Sequence, residues 1–189
     1  MQKFGVVAVL ASMLFATAAQ AIPITRTFTV SSDTYSIGFL NGTTAPVDPV
    51  DMSITVTFDP TVDVTNTTTG IALNSTNLTL DVSPIAFNFD TALDQIQFGL
   101  LEGGGVGGIA PGSNDFGLTI FQPGSALPLF FQAVYSNSGT NDFYEASGGK
   151  VGFTTTAVPE PASLALLLSG LAGCTLLIRR RRSRDGKLC

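Results

Sequence analysis

Residues 22–157 alternate between polar and apolar side chains with a period of two rather than 3.6, which is typical of half-buried β-strands. Thr, Val, Ile and Phe dominate the alternating segments and favour strands. Between the segments stand clusters with turn chemistry, such as TNTTTG, QPGSA and SNSGTND. The segments are TRTFTV, YSIGFL, MSITVTF, NLTLDV, IAFNF, FGLTIF, LFFQAVY and KVGFTTT.

This spacing of strands and turns predicts an all-β domain of about eight to ten short antiparallel strands. We expect the strands to form a β-sandwich, with a jelly roll as the more specific arrangement. No repeat of fixed period occurs, which argues against a β-solenoid. A short turn in TALDQIQFGLL is the largest helical element that we expect in this part of the chain.

Residues 1–21 have the three parts of a secretory signal peptide. Lys3 supplies the positive charge, an apolar run follows it, and Ala19 and Ala21 form an A-x-A signal peptidase site. A weaker cleavage site lies three residues earlier, and a buried N-terminal helix is the alternative interpretation. We therefore predict that residues 22–157 form an exported domain.

A second apolar segment, residues 162–178, contains 17 residues without a charge. As a helix it would span roughly 26 Å, slightly less than the ~30 Å hydrocarbon core of a bilayer. An arginine cluster follows and predicts, by the positive-inside rule, that the tail 183–189 is cytoplasmic. A plain transmembrane anchor is one interpretation of this segment. The stop-transfer residues are Arg179, Arg180, Arg181 and Arg182.

A proline-rich tetrapeptide stands just before the apolar segment and leads to a more specific interpretation. It consists of Val158, Pro159, Glu160 and Pro161. With the helix and the arginine cluster, the order of features over residues 158–182 resembles the PEP-CTERM sorting signal of Gram-negative bacteria. Sequences that this tail resembles also carry the label of an ice-binding protein C-terminal domain, which describes the tail rather than an activity.

The resemblance implies a route for the protein. It implies handling by exosortase, a membrane-embedded transpeptidase-like enzyme, with cleavage near the Pro-Glu-Pro. The inner membrane would be a transient anchor, and the processed domain would reach the cell surface or the extracellular matrix. The resemblance also implies association with exopolysaccharide or biofilm, but it says nothing about what the domain itself does.

The predicted domain is strongly acidic and lacks the side chains of many catalytic sites. Arg26 and Lys150 are its only bases beside twelve acidic residues, a net charge of −10 that disfavours nucleic acid and anionic lipid as partners. The chain has no histidine, which excludes Ser-His and Cys-His catalysis and the commonest transition-metal ligand. A two-carboxylate glycosidase site remains formally possible, with Glu102 and Glu145 the only glutamates of the domain, but no tryptophan offers a sugar platform. We predict no enzyme and no cofactor.

Two pairs of aspartates are the candidate calcium ligands, Asp48 with Asp51 and Asp59 with Asp63. Neither pair belongs to an EF-hand loop or an RTX repeat, so we expect solvated turns and predict no metal site. Threonines at alternate positions, as in ITVTF, could pattern an ice-binding face. They more often cover the solvent side of a strand, and their spacing does not repeat.

A non-enzymatic surface or extracellular-matrix protein is the function that we expect. The alternative is a carbohydrate-binding module for exopolysaccharide, in which Tyr35, Tyr135 and Tyr144 stack on sugar rings. Three exposed tyrosines on one face would favour binding, and three buried ones would favour a structural role. Ice binding and calcium-dependent adhesion have less support. Because Cys174 and Cys189 lie after the domain, no disulfide braces it, and its stability should be indifferent to reductant.

Overall fold

A computed structural model describes residues 22–37, 44–101, 106–139 and 142–156. All regular structure in these ranges is β-strand, and all strand pairs are antiparallel. The prediction of an all-β antiparallel domain is therefore confirmed. The predicted signal peptide and C-terminal helix lie outside the described residues. Within the described ranges, no helix is long and apolar enough to cross a membrane.

Nine strands form one continuous sheet in the order β3-β5-β6-β7-β8-β9-β1-β2-β4. Five consecutive strands, β5 to β9, are sequential neighbours, so this part is a meander rather than the Greek-key arrangement of a jelly roll. The strands are β1 (Ile24–Ile37), β2 (Val50–Phe58), β3 (Val64–Thr67), β4 (Ile71–Thr76), β5 (Ile85–Asp90), β6 (Gln95–Leu100), β7 (Phe116–Phe121), β8 (Leu129–Ser136) and β9 (Phe143–Thr156).

The sheet curls so that its two halves face each other across one core. The ring centroids of Phe28 in β1 and Phe98 in β6 are 6.1 Å apart, and those of Phe58 in β2 and Phe89 in β5 are 5.0 Å apart. The expected facing layers are thus present, but they belong to one sheet instead of the two separate sheets of a sandwich. The reason is that β9 begins beside β8, with three residue pairs, before it continues along β1.

Strand β2 shows how the sequence pattern produces the core. Its apolar residues Met52, Ile54, Val56 and Phe58 are all buried, while the polar residues between them are partly exposed. Alternation places every second side chain on the same face of a strand, so one face of β2 packs inward and the other meets solvent. The period of two therefore predicted this strand correctly.

Several strand boundaries differ from the sequence prediction. The turn cluster TNTTTG overlaps β3, and TALDQIQFGLL contains a turn followed by β6. In the opposite direction, NLTLDV forms no strand, although its residues Leu78 and Leu80 pack against the core. These leucines lie in a loop and bury their apolar side chains there. The segment therefore shows the same alternation as a half-buried strand without being one. The segment YSIGFL contributes its first three residues to β1 and then leaves the described residues.

The connections between the strands lie at the two ends of the sheet. We call the end where β9 stops at Thr156 the exit end; it holds residues 22–23 and the connections 59–63, 91–94 and 122–128. The opposite end, which we call the far end, holds the connections that include residues 44–49, 77–84, 106–115 and 137–139.

Replacement of Phe98 by Ala tests the shared core. Phe98 is fully buried and packs against Phe28 from the opposite half of the sheet. We expect the free energy of unfolding of the domain to fall by about 3–5 kcal/mol, measured by urea denaturation. Leu127→Ala is the control, because Leu127 is 78% exposed, and it should change stability by less than about 0.5 kcal/mol. Equal losses in the two variants would contradict the packing described here.

Candidate functional site

The residues predicted to direct sorting lie outside the described part of the chain. These are the sorting tetrapeptide, the arginine cluster and the signal peptidase site around Ala19 and Ala21. Their roles and the domain limits stay predictions. The structure does give the flanking geometry, since Ile22 is exposed just before β1 and β9 continues to Thr156. The last strand therefore ends at Thr156, one residue before the predicted end of the domain at residue 157.

The three tyrosines form one packed cluster inside the domain. Tyr135 and Tyr144 are 2% and 3% exposed, and Tyr35 is half-buried. The ring of Tyr135 lies 5.0 Å from that of Tyr35, edge to face, and 5.0 Å from that of Tyr144, stacked. Burial on this scale leaves no open ring face for a sugar on Tyr135 or Tyr144, and Tyr35 packs its ring against Tyr135. The cluster fits the structural role that the sequence analysis assigned to buried tyrosines.

The hydroxyl groups of this cluster are used by the fold itself. The Tyr135 hydroxyl accepts a hydrogen bond from the Val47 amide at 3.0 Å and donates one to the Val47 carbonyl at 2.9 Å. The Tyr35 hydroxyl shares a hydrogen bond with Ser32. Burial raises the pKa of both Tyr35 and Tyr135 to about 12, so both remain protonated donors. The cluster fixes the loop before β2 to the centre of the sheet.

The candidate calcium ligands lie in different surroundings and do not converge on a common site among the described residues. Asp59 accepts hydrogen bonds from the amide and hydroxyl of Thr61, at 2.8 and 2.7 Å. Asp48, at the far end, accepts from the backbone amides of Thr34 and Tyr35 at 3.2 Å each. Among the described residues no group of three or more metal-ligating side chains converges. Asp59 thus forms the solvated turn expected from the sequence, whereas Asp48 binds amides of β1 and Asp51 lies within β2.

Asp63 joins two connections at the exit end. Its Oδ1 accepts hydrogen bonds from the amide and the hydroxyl of Thr91, at 2.8 and 2.7 Å. These two donors, the hydroxyl first, hold the pKa of the Asp63 carboxyl below its ordinary 3.8 because they stabilise the charged form. The connection after β2 is thereby tied to the connection between β5 and β6.

Of the two glutamates in the glycosidase hypothesis, the structure describes one, Glu145. Glu145 lies in β9 and its Oε1 accepts a hydrogen bond of 2.6 Å from Nε2 of Gln132 in β8. Glu102 lies outside the described residues. In the structure, Glu145 therefore takes part in a cross-strand contact, and no second carboxylate is described beside it.

The threonines of the proposed ice-binding face lie on the outer side of β1 and β2. The hydroxyls of Thr25 and Thr57 are 2.7 Å apart, as are those of Thr27 and Thr55. Such cross-strand pairs stabilise an antiparallel ladder from its solvent side. Asn74 of β4 extends the row by donating to the Thr55 hydroxyl at 2.8 Å.

A small cleft at the far end contains a buried carboxylate that the sequence analysis did not single out. Asp115 is 2% exposed, and burial raises the pKa of its carboxyl despite amide donors from Phe116 at 2.7 Å and Ala110 at 3.2 Å. The cleft has a volume of about 250 Å³, below the usual range for ligand pockets. The carboxylates of Asp81 and Asp115 already accept hydrogen bonds from backbone amides of the 106–115 connection. These hydrogen bonds hold that connection in place. Its lining residues are Asp81, Ser83, Leu100, Ala110, Ser113, Asn114 and Asp115.

Arg26 is the residue at the exit end whose role the sequence analysis missed. It points inward, is 7% exposed, and donates through Nη1 to the carbonyls of Pro123, at 2.6 Å, and Ser125. Nη2 donates to the carbonyl of Gly124 at 2.6 Å, and the guanidinium lies 4.2 Å from the centre of the Phe153 ring. Its Nε has no hydrogen-bond partner, and burial lowers the pKa of the group. The segment TRTFTV did contain a sign of this role. Arg26 stands at a position where the alternation places side chains on the inward face of the strand.

Comparison with known proteins identifies the segment that follows β9. Residues 157–182 match a family model described as the PEP-CTERM protein-sorting motif. The resemblance inferred from the sequence is therefore confirmed. The motif implies exosortase-dependent sorting of an exported protein, and export across the inner membrane toward the cell surface. No curated protein and no solved structure matches the chain significantly.

Replacement of Arg26 by Met tests its hold on the 122–128 connection. Three carbonyls would lose a charged donor, so we expect the free energy of unfolding to fall by about 2–3 kcal/mol in urea denaturation. Limited proteolysis should also begin in this connection. Lys150→Met is the matched control, because Lys150 is exposed, and it should leave both measurements nearly unchanged. A similar effect of both variants would contradict the role assigned to Arg26.

Replacement of Asp63 by Asn tests the tie to Thr91 through its pH dependence. Because the native pKa of Asp63 is lowered, its contribution to stability is complete above the ordinary value of 3.8 and is lost as pH falls through the native value. The difference in unfolding free energy between the wild type and Asp63→Asn should therefore shrink as the pH falls below the ordinary value of 3.8 and through the lower native value. In a Thr91→Val background this pH dependence should weaken. A difference that stays constant with pH would argue against the tie.

Proposed function

Because this chain carries a PEP-CTERM protein-sorting motif at residues 157–182, we propose that it is an exported, non-enzymatic surface or extracellular-matrix protein delivered by exosortase. The observation that carries the proposal is the motif match itself, placed directly after the last strand of the domain. In this proposal the sorting segment determines where the protein goes, and the β-domain is the part that is exported.

The proposed mechanism uses three parts of the sorting segment. Residues 162–178 hold the chain in the inner membrane, and the arginines after them keep the tail on the cytoplasmic side, because each costs about 2.5–3.5 kcal/mol at the bilayer centre. Pro159 and Pro161 disfavour helix, so the tetrapeptide stays extended on the outer side of the membrane. An extended backbone without internal hydrogen bonds is the form that a processing enzyme can bind. Exosortase then cleaves near these prolines and releases the domain.

Association with exopolysaccharide is the finer part of the proposal. It is supported by the family resemblance and by the character of the outer sheet face. On that face Thr27 of β1 lies between Thr154 of β9 and Thr55 of β2, and the next row contains Thr29 and Ser53. A neutral surface of hydroxyls can exchange hydrogen bonds with a polysaccharide without displacing bound ions. The buried tyrosine cluster gives no support to recognition by ring stacking.

Replacement of Pro159, Glu160 and Pro161 by Ala tests exosortase-dependent processing. We expect the variant to remain anchored at full length, while the wild type loses its tail in a host with exosortase and keeps it in a host without the enzyme. An immunoblot of membrane and medium fractions measures the outcome.

The matched control replaces three residues of the predicted cytoplasmic tail, Ser183, Arg184 and Asp185, by Ala. This variant should be processed like the wild type, because its sorting tetrapeptide is intact. Equal loss of the tail from the wild type and the tetrapeptide variant in both hosts would replace the proposal with a plain anchor cut by general proteases.

A further inference from the structure

Exposed large apolar side chains are concentrated at one end of the described domain. Of the eight in the described residues, six lie at the exit end or on the start of β8 beside it. Single exposed apolar residues are ordinary, whereas a concentrated group marks a surface that contacts something. The six are Ile22, Val62, Leu93, Leu127, Leu129 and Phe131. The remaining two are Val82 and Leu101 at the far end.

Four segments at the exit end each contribute one of these side chains. Ile22 precedes β1 and is 52% exposed, Val62 follows β2 at 50%, Leu93 lies between β5 and β6 at 61%, and Leu127 lies between β7 and β8 at 78%. The apolar group is therefore distributed over the whole end of the sheet. It is not the exposed side of a single strand.

Hydrogen bonds hold these connections in place. Asp63 ties the first connection to Thr91 in the second, and the Asp94 carbonyl accepts from the Gln122 amide at 2.7 Å in the third. Arg26 then fixes the third connection to β1. Because the backbones are fixed, the apolar side chains need little ordering to contact a surface.

The covalent chain places a lipid surface within reach of this end. Thr156 leaves the sheet at the exit end, and residues 157–161 separate it from the predicted start of the membrane helix at residue 162. An extended chain of this length reaches about 20 Å. The tether therefore keeps the exit end close to the bilayer for as long as the tail is uncut, which favours even a weak contact.

We propose that the exit end docks on the outer surface of the membrane while the chain is anchored, with Val62, Leu93 and Leu127 entering the interfacial region. This docking rests on the proposed function, because it requires the sorting segment to anchor the chain. It orients the domain with its far end toward the surroundings.

The charges at this end define the lipid. Asp59, Asp63, Asp90 and Asp94 all lie in or beside the connections 59–63 and 91–94, whereas the described base at this end, Arg26, is buried beneath the 122–128 connection. Anionic headgroups would be repelled by these carboxylates, so the surface fits zwitterionic phospholipid. Apolar insertion supplies the attraction, and anionic lipid should weaken the docking.

The test uses the full chain, with Cys174 and Cys189 replaced by Ser, in vesicles of zwitterionic phospholipid with brominated acyl chains. A fluorophore on Leu127→Cys reports insertion. Thr154→Cys, on an exposed residue two positions before the chain leaves the sheet, controls for proximity, and Val82→Cys reports the far end. We expect lipid quenching about threefold stronger at position 127 than at either control, and weaker quenching at position 127 when anionic lipid is added.

A pair of double substitutions tests the apolar contacts themselves. Val62→Ser with Leu93→Ser should reduce quenching at position 127 about twofold, because two inserted side chains are lost. Val82→Ser with Leu101→Ser removes the same kinds of side chain from the far end and should leave the quenching unchanged.

Flotation of the vesicles separates the two proposals. A chain that floats but is quenched equally at positions 127 and 154 overturns the docking and leaves the anchor intact. A chain that does not float contradicts the anchor, and the docking with it. A signal at position 127 that depends on protein density and not on brominated lipid assigns the apolar end to a second copy of the chain and also overturns the docking.

Discussion

The apolar contact between the two halves of the curled sheet is the interaction on which the rest of the structure depends. In the described part of the chain, three residue pairs between β8 and β9 join the halves through strand pairing, and the domain contains no cysteine. Packing across the interior, as between Phe28 and Phe98 or Phe58 and Phe89, must therefore hold the halves together. Burial of each such ring contributes about 1.5–3 kcal/mol, so a few aromatic residues account for a large share of the stability.

Each end of the sheet is closed by a buried ionisable group that binds the backbone of a connection. At the exit end Arg26 donates to three carbonyls, and at the far end Asp115 accepts from two amides. The signs are complementary, because a cation satisfies carbonyl oxygens and an anion satisfies amide hydrogens. The hydrogen-bond partners named here are backbone groups and not opposite charges, so backbone dipoles offset part of the cost of burial, while burial still shifts the pKa of each group towards its neutral form.

The sequence predicted the fold class because burial on one face of a strand leaves a period of two, as in β2 and in the first half of β1. It missed β3 because that strand lies at the edge of the sheet and has little buried surface to create the pattern. It mistook the loop around Leu78 for a strand because a leucine can be buried without strand pairing. The role of Arg26 required the 122–128 connection, nearly one hundred positions away, which no local pattern contains.

The sorting tetrapeptide could be recognised from sequence alone because its meaning lies in the order of residues and not in a fold. The interior of the domain is the opposite case. Whether Tyr135 stacks on a sugar or on Tyr144 depends on which face of β8 is covered, and only the arrangement of the complete sheet decides it. The local sequence thus predicted the sorting motif better than it predicted the side-chain contacts inside the domain.

The long pairing between β9 and β1 has a mechanical consequence for a domain that the proposed anchor would hold by its C-terminus. Twelve residue pairs connect the two strands in the described part of the chain, and the sorting motif begins at residue 157, directly after the last residue of β9. A pull on Thr156 along the strand acts across the hydrogen bonds of an antiparallel ladder, which lie perpendicular to the strand direction. The bonds therefore share the load in shear instead of opening one at a time. The strand that carries the sorting segment is also the one best placed to resist drag on the anchored domain.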